Sequence, residues 1–220
     1  MIDNYIRGIR GGSPLPPLYS ETITDKEVAY MDQKQEFLDL YHQYITREGA
    51  RELLSFLEHK SDFFIAPAST RFHLACEGGL LSHSINVAKL MLRYEDEPPE
   101  SLAICGLLHD ICKVNYYKVS TRNVKNEQTG QWEKQPFYQV EDSFPYGHGE
   151  KSVYMIERFF RLKASEAMAI RWHMGGFDDA VRGGSFAISK AYERYPLAVK
   201  LHLCDIEASY LVESRLQTTK

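Results

Sequence analysis

The dipeptide His109-Asp110 closes an apolar helical run, LAICGLLHDICK (102–113), and is the first part of the sequence that could do chemistry. His109 follows the three- and four-residue spacing of one buried helix face, which it shares with Leu102, Cys105, Gly106 and Cys112. An isolated carboxylate is very costly in a low-dielectric interior, so Asp110 must be paired or must bind a cation. The dipeptide therefore indicates either a buried His–Asp hydrogen-bonded pair or a metal site, and the rest of the chain has to decide between them.

Two further polar residues interrupt apolar helical stripes. His83 shares a face with Leu80, Val87, Leu90 and Tyr94. Asp205 lies in the middle of the stripe formed by Ala198, Leu201, Ala208 and Val212. Three different helices thus carry an imidazole or a carboxylate on the side that should be apolar, which a solvated surface cannot explain for all of them. A common inward-facing cation explains all three.

Two more histidines complete a set of candidate ligands. His148 stands in YGHGEK before an apolar helical pattern, and His173 ends the segment SEAMAIRWH. Taken singly, each is more typical of a structural histidine than of a ligand. As a set, the candidates supply four neutral nitrogen donors and two carboxylates, which suit two divalent transition metals bridged by Asp110. The set is His83, His109, Asp110, His148, His173 and Asp205, and its ligand types do not distinguish Mn, Fe, Ni, Co and Zn.

Composition narrows the class of protein. A chain of 220 residues with 44% hydrophobic and 25% charged residues is typical of an ordinary globular protein. The net charge of -4 argues against a broad surface for duplex nucleic acid and leaves small anionic substrates open. The N-terminus lacks the apolar core of a signal peptide, and no apolar run approaches the roughly 18 residues that span a bilayer. Four cysteines without a CxxC pair predict reduced thiols. We therefore expect a cytoplasmic protein that does not associate with membranes. The sequence is compatible with a homo-oligomer.

Helical patterns dominate the chain and predict an all-α fold with one small β-hairpin. Residues 1–22 are rich in Pro and Gly and predict an arm or leader ahead of a single domain over 23–220. Thr24 and Glu27 favour a helix start, and helical patterns cover 24–45, 47–60, 78–94, 98–113, 149–162, 164–173 and about 195–215. Between 115 and 144, two runs of aromatic and β-branched residues flank the turn sequence NEQTGQ and predict the hairpin. The hairpin would overhang any site that His109 and Asp110 form. The alternative is an edge hairpin without a functional role.

The order H…HD…H…H…D, with the flanks GGLLSHS and LLHDICK, resembles the HD-domain superfamily of metal-dependent phosphohydrolases in its six-ligand, binuclear form. The resemblance covers roughly residues 63–213, and FFIAPASTRFHLACEGGLLSHS is also similar to the lead-in of HD-domain exoribonucleases and conjugative relaxases. Two features depart from the family pattern. The small glycine of HDIGK is Cys112 here, and no GYP signature follows, so the resemblance does not extend to cyclic di-GMP hydrolysis.

The resemblance implies a role for each candidate ligand. His83, His109, Asp110 and Asp205 would hold one metal, and Asp110 would bridge to a second metal held by His148 and His173. Lys113 matches the lysine of HDxxK, and on a helix it would lie beside the metals, where its ammonium could hold a phosphate or carboxylate oxygen. The alternative for Lys113 is an exposed lysine that caps a helix C-terminus.

The predicted chemistry is hydrolysis of a phosphate ester or anhydride by a metal-activated water, with Asp110 and Lys113 as the catalytic residues. Lys118 and Lys113 are predicted to bind the substrate, a small anion for which a nucleotide is favoured. That preference comes from the hairpin, whose cations could meet phosphates and whose rings could stack on a base: Lys118, Arg122, Lys125, Trp132, Phe137 and Tyr138. An alternating, aromatic-rich solvent face is the competing explanation.

Two other functions stay open from the sequence. One is a mixed-valent di-iron oxygenase. The H…HD…H…H…D order is similar to that of myo-inositol oxygenase and its relatives, which have a lysine at the same position. The other is a non-catalytic HD module that binds a nucleotide, although loss of metal would leave Asp110 and Asp205 buried without partners. The remaining histidines are interpreted as surface or structural residues: His42, His59, His73 and His202.

Overall fold

The computed structural model describes residues 25–213, with side chains from residue 30 onward. Within that range the regular structure consists of nine α-helices and a two-stranded hairpin, so the predicted all-α fold with a β-hairpin is confirmed. The predicted arm over 1–22 and the predicted helix start at Thr24 lie outside the described residues. The division into an arm and a single domain stays a prediction. The helices are α1 Asp25–Tyr44, α2 Ala50–His59, α3 Gly79–Met91, α4 Pro99–Leu108, α5 His148–Glu157, α6 Ala164–Trp172, α7 Asp179–Arg182, α8 Ala187–Arg194 and α9 Pro196–Glu207.

Helices α3 and α4 form the centre of the core. Every residue of α4 from Ser101 to Leu108 is buried, because this segment is apolar around its whole circumference. Ten of the thirteen residues of α3 are buried as well. Helix α4 packs on α3 at Gly106, where an added Cβ would lie only 2.4 Å from the Cα of Ala88. Only glycine permits this close approach, which sets the distance between the two helices.

The HD dipeptide lies in the turn that follows α4, not within a longer helix. The sequence predicts helix over 98–113, but α4 ends at Leu108 and a single 3-10 turn, Ile111–Lys113, follows. The tighter turn is held by the backbone N–H of Lys113, which donates to the carbonyl of Asp110 at 2.9 Å. Lys113 is thereby brought back over Asp110, as i and i+3 residues are in a 3-10 turn.

The hairpin projects from the helical body. Strands β1 (Tyr117–Lys125) and β2 (Trp132–Val140) are antiparallel, and their register runs from Tyr117 opposite Val140 to Lys125 opposite Trp132. Most of their residues are exposed. Tyr117 joins the base of the hairpin to the body, since its hydroxyl donates to the carbonyl of Ala68 at 3.4 Å.

The C-terminal helix changes its winding after Glu207. Residues Ala208–Val212 form a π-helical turn, which inserts one residue relative to an α-helix. The sequence pattern places Val212 on the same buried face as Asp205. That expectation is wrong by one residue, because Val212 is only partly buried and Glu213 is fully buried in its place.

Among residues 25–213, no helix is both long enough and apolar enough to cross a membrane.

Candidate metal centre

Two pairs of histidines face each other across two close helix crossings. The α3–α4 crossing at Gly106 brings His83 and His109 together, with 3.2 Å between their Nε2 atoms. At the crossing of α5 and α6, a Cβ on Gly149 would lie 2.3 Å from the carbonyl oxygen of Arg171. This second approach places the rings of His148 and His173 with their centroids 5.1 Å apart. The four histidines come from separate parts of the chain, and small residues let their helices meet.

The carboxylate of Asp110 lies between the two histidine pairs. Its Oδ1 is 2.8 Å from Nε2 of His148 and 3.5 Å from Nε2 of His173. Its Oδ2 is 3.7 Å from Nε2 of His83 and 3.6 Å from Nε2 of His109. Each oxygen thus faces a different pair, which is the arrangement that a carboxylate bridging two ions requires.

Asp205 joins the His83–His109 side of the cluster from α9. Its Oδ1 lies 3.1 Å from Nε2 of His83, and donor atoms of Asp205, His83 and His109 all lie within 4.8 Å of one another. A second such group combines His109, Asp110 and His173. The structure therefore brings together all six residues that the sequence singles out as candidate ligands.

The donor set fits divalent metals because three of the four imidazoles are oriented by bonds on their far side. The Nδ1 groups of His109 and His173 donate to the carbonyls of Gly106 and Ile170, at 3.0 and 2.7 Å. Nδ1 of His83 donates to Oε1 of Glu213 at 2.9 Å. These bonds direct Nε2 of each ring into the cluster, where the neutral imidazole presents a lone pair, as in histidines that bind metals. Nε2 of His173 is fully buried and has no hydrogen-bond partner, so a bond to a cation would satisfy it.

Comparison with known protein families decides the identity of the domain. Residues 80–208, more than half of the chain, match the family model of the HD domain. The chain belongs to the HD-domain family. A search of curated proteins and a search of solved structures each gave no significant match. HD domains are generally metal-dependent phosphohydrolases, so the family and the donor set agree that this cluster can bind divalent metal.

The electrostatics of the cluster of six candidate ligands favour positive charge beside its carboxylates. Burial opposes protonation of His83, but Asp205 and Glu213 outweigh it and raise its pKa to about 10. At His148, burial is likewise outweighed, by Cys112 and Asp110, and the pKa rises to about 10. Burial prevails at His109, whose pKa falls to about 3. The raised pKa values of His83 and His148 show that the buried carboxylates favour positive charge beside them, which divalent cations would also supply.

The two lysines predicted to bind the substrate differ in their surroundings. Nζ of Lys113 lies 2.6 Å from Oδ2 of Asp110, and its side chain is 12% exposed, so the cation belongs to the cluster on a side chain that is partly accessible. Burial lowers the pKa of Lys113, but Asp110 outweighs this effect and leaves the pKa raised. Lys118 pairs instead with Glu141 at the surface, where both side chains are 66% exposed. The structure brings Lys113 and not Lys118 to the cluster, and substrate binding by Lys118 stays a prediction.

Three residues near the cluster were not recognised from the sequence. Glu213 was missed because the π turn moves it inward. His73 was interpreted as surface or structural, yet its ring centroid lies 5.0 Å from that of His83, and it forms a further group of potential donors with His83 and Glu213. The sequence places Cys112 on a buried helix face and predicts a reduced thiol there, and in the structure its sulfur lies 3.4 Å from Nδ1 of His148. For Cys112, the sequence feature that could have indicated a role is the cysteine in place of the usual glycine of HDIGK.

Proposed function

We propose that this HD-domain protein is a binuclear metal-dependent phosphohydrolase or phosphodiesterase that acts on a nucleotide. The observation that carries the proposal is the position of Asp110, whose two oxygens face different histidine pairs while Lys113 contacts one of them from the solvent side. We assign one metal to His83, His109, Asp110 and Asp205, and the second to His148 and His173 together with Asp110. The family supports a divalent metal, and the ligand geometry supports two.

The residues around the cluster would divide the work of hydrolysis. Two divalent ions held there would lower the pKa of a water molecule and neutralise charge on the phosphoryl oxygens. Lys113 would hold a non-bridging oxygen of the phosphate, because its ammonium is the cation next to Asp110. Solvent reaches the cluster from the side of Lys113, Asp205 and His148, whose side chains are 12%, 17% and 29% exposed. Substrate would enter from this side, since the side chains of His109 and His173 are buried behind it.

A group of exposed aromatic rings supports a nucleotide as the substrate. Phe144, Tyr146 and Tyr154 pack together just before and along the helix that begins at His148, with Phe144 and Tyr146 stacked at 5.3 Å between ring centroids. All three side chains keep 39–53% of their surface exposed. Exposed rings of this kind can stack on a base while the phosphate lies at the metals. Of the hairpin rings named from the sequence, Trp132 is less suited, because it lies at the distal end of the hairpin, eight strand positions or roughly 26 Å from Tyr117.

The first test is anaerobic hydrolysis by manganese-loaded protein. The substrates would be a panel of nucleotides, cyclic dinucleotides and a generic phosphodiester, and the control would be the His109→Ala, Asp110→Ala double variant. We expect turnover that the double variant loses together with its metal. Unchanged activity and metal content in the double variant would contradict the proposal. Activity that requires iron and dioxygen would instead support the oxygenase alternative, and metal-free protein that still binds nucleotides would support a binding module.

The ring group has its own test. We expect Tyr146→Ala to raise KM for a nucleotide substrate while kcat changes little, because stacking contributes equally to the bound substrate and the transition state. A stacked base contributes about 1–3 kcal/mol, which corresponds to roughly a 5- to 150-fold change in KM. Steady-state kinetics would measure it, with Trp132→Ala as the matched aromatic control. Equal effects of the two variants would contradict a stacking role for Tyr146.

A further inference from the structure

Cys112 occupies the turn that carries the HD motif, at the position where glycine is usual. It lies in the 3-10 turn Ile111–Lys113, and its backbone N–H donates to Oγ of Ser152 at 3.2 Å, which holds the turn against α5. The residue is only 3% exposed. Its side chain is therefore fixed on the side of Asp110 that faces His148.

The thiol lies within ligand distance of the His148 side of the cluster. Its sulfur is 3.8 Å from Nε2 of His148, and that nitrogen is 2.8 Å from Oδ1 of Asp110. Donor atoms of Asp110, Cys112 and His148 all lie within 4.8 Å of one another. Two donors that are each about 2.0–2.3 Å from one ion are roughly 3–4 Å apart, so the three atoms can share a single ion.

The two halves of the cluster differ in their number of donors if Cys112 is left out. His83, His109, Asp110 and Asp205 provide four donors on one side, whereas His148, His173 and Asp110 provide three on the other. On this second side, Nε2 of His173 is buried and makes no hydrogen bond, although it lies 3.5 Å from Oδ1 of Asp110, so a bond to an ion would satisfy it. We propose that Cys112 is the fourth protein ligand of the second metal, binding it as a thiolate.

This inference rests on the metal centre proposed above and adds sulfur to its ligands. When the ion binds, the Cys112 S–H proton leaves to solvent, and a sulfur lone pair forms the bond to the ion. No change of oxidation state is involved. Thiolate favours zinc, cobalt or iron over manganese or magnesium, so the second site would bind these ions more tightly than manganese, which it could still hold at high concentration.

A nucleophilic role for Cys112 is less consistent with the geometry. The group Cys112–His148–Asp110 has the residue types of a nucleophile, a base and an orienting carboxylate. However, the sulfur lies at similar distances from both ring nitrogens of His148, 3.4 and 3.8 Å, so it sits beside the ring and not on the lone-pair axis of either nitrogen. At 3% exposure the residue is also too buried to meet a substrate.

The test is a titration of the metal-free full-length chain with Co(II), followed by absorption spectroscopy. A cobalt–thiolate bond gives a near-ultraviolet charge-transfer band, whereas nitrogen and oxygen ligands give only weak visible bands. We expect the band to grow with one of the two equivalents of bound cobalt. In Cys112→Ser the band should be lost, and the dissociation constant of that equivalent should rise at least about 10-fold, the smallest effect that outer-shell changes have.

Matched variants separate the possible outcomes. Cys204→Ser removes another buried thiol, one residue from Asp205 but in contact with Tyr94, and should keep the band. Two bound cobalt ions without the band in the wild-type chain would overturn the thiolate ligand while leaving the metal centre intact. Persistence of the band in both Cys112→Ser and Cys112→Ala would overturn it as well. Absence of bound cobalt would overturn the metal centre itself, so the two failures are distinguishable.

Discussion

At the scale of single residues, Lys113 and Asp110 form the most direct link between the cluster and a substrate. The ammonium lies 2.6 Å from Oδ2 of Asp110, which in turn faces His83 and His109. A phosphate oxygen at the metals would therefore meet Lys113 without any rearrangement of the turn. The ammonium would then exchange its bond to one carboxylate oxygen for a bond to one phosphate oxygen.

We expect Lys113→Gln to lower kcat/KM by roughly 10- to 150-fold, because a hydrogen bond to a charged group contributes about 1.5–3 kcal/mol. Metal content should not change, since the lysine is not a candidate ligand. Steady-state kinetics and metal analysis would measure both quantities. Lys118→Gln removes the same charge from the surface pair with Glu141 and is the matched control. An equal loss in both variants would contradict the special position of Lys113 and support a role for both lysines.

Glu213 acts on the cluster through His83. Its Oε1 accepts a hydrogen bond from Nδ1 of His83 at 2.9 Å, and the residue is fully buried. This bond fixes the orientation of the imidazole and makes its Nε2 a better donor to a metal. Burial raises the pKa of Glu213, but His83 and Asn86 outweigh it and leave the pKa lowered, so the group stays a carboxylate.

We expect Glu213→Leu to weaken binding of the first metal equivalent by about 10- to 100-fold, the range typical of lost outer-shell carboxylates. Isothermal titration with a single divalent metal would measure the affinity. Asn86→Ala is the control, because Asn86 bonds to the same oxygen at 3.1 Å but does not touch the histidine's metal-facing nitrogen. If both variants bound metal as tightly as the wild type, His83 would not depend on Glu213 for its orientation.

At the scale of elements, the sequence predicted most of the helices and the ligands that lie on regular faces. His83 and Asp205 interrupt apolar stripes, and the stripes fold inward as the period requires. The pattern failed where the winding changes. A π turn cannot be recognised from a three- and four-residue spacing, so Glu213 was assigned no place in the core. The 3-10 turn after Leu108 was missed for the same reason, because LAICGLLHDICK continues the helical spacing through it.

The short helices α7 and α8 were also not predicted. Helix α7 has only four residues, too few to show a period, and is started by Asp178, whose side chain accepts from the N–H groups of Ala180 and Val181. Helix α8 is amphipathic but has one buried residue, Ala191. Neither contributes a candidate ligand, so the cluster could be predicted without them. The position of Cys112 beside the cluster could not be predicted, because a buried thiol in an apolar helix is usually a packing residue.

The helix that ends at His173 is anchored at its start by a buried ion pair. Glu166 near the start of α6 is fully buried, and both its oxygens lie 2.6 Å from the guanidinium of Arg47. Burial raises the pKa of Glu166, but Arg47, Ser101 and the Lys163 N–H outweigh it and lower the pKa below 4.5. The folded protein thus favours the ionised carboxylate, so the pair stabilises the fold above about pH 4.5 and loses this contribution as pH falls through the lowered pKa.

We expect Glu166→Gln to reduce the free energy of unfolding at pH 7 by about 3 kcal/mol, the lower end for a broken buried pair, because Arg47 loses its buried partner and keeps the partly exposed Glu100. The difference from the wild type should shrink as the pH is lowered past 4.5, since protonation then removes the same charge from the wild type. Chemical denaturation between pH 7 and pH 3 would measure it. The exposed ion pair of Lys89 with Glu36 supplies a control, and Glu36→Gln should cost under about 1 kcal/mol. A difference for Glu166→Gln that stays constant with pH would contradict the ion pair's role.

At the scale of the whole molecule, the candidate ligands connect helices that are far apart in sequence. The six residues extend from His83 to Asp205 and are carried by α3, α4, α5, α6 and α9 or the turns that end them. None of these donors is preorganised in an unfolded chain, so metal binding would add directly to the stability of the fold. Despite burial, the carboxylates Asp110 and Asp205 raise the pKa values of His148 and His83, and Lys113 lies 2.6 Å from Asp110, so the cluster favours cations. Divalent ions would supply positive charge there through ligand bonds that tie five helices together.

Metal should therefore raise the melting temperature of this protein. At a free metal concentration 100 times the dissociation constant, each site adds about 2.7 kcal/mol to the free energy of unfolding. For a chain of this length, 1 kcal/mol shifts the melting temperature by roughly 2–4 °C, so one filled site should raise it by about 5–11 °C and a chelator should reverse the rise. Differential scanning calorimetry with and without manganese would measure the shift. The His109→Ala, Asp110→Ala double variant removes donors from both halves of the cluster and should show no shift, whereas Lys118→Gln should shift as the wild type does. A rise of equal size in the double variant would mean that the metal stabilises the chain at a site other than this cluster, and would contradict the prediction.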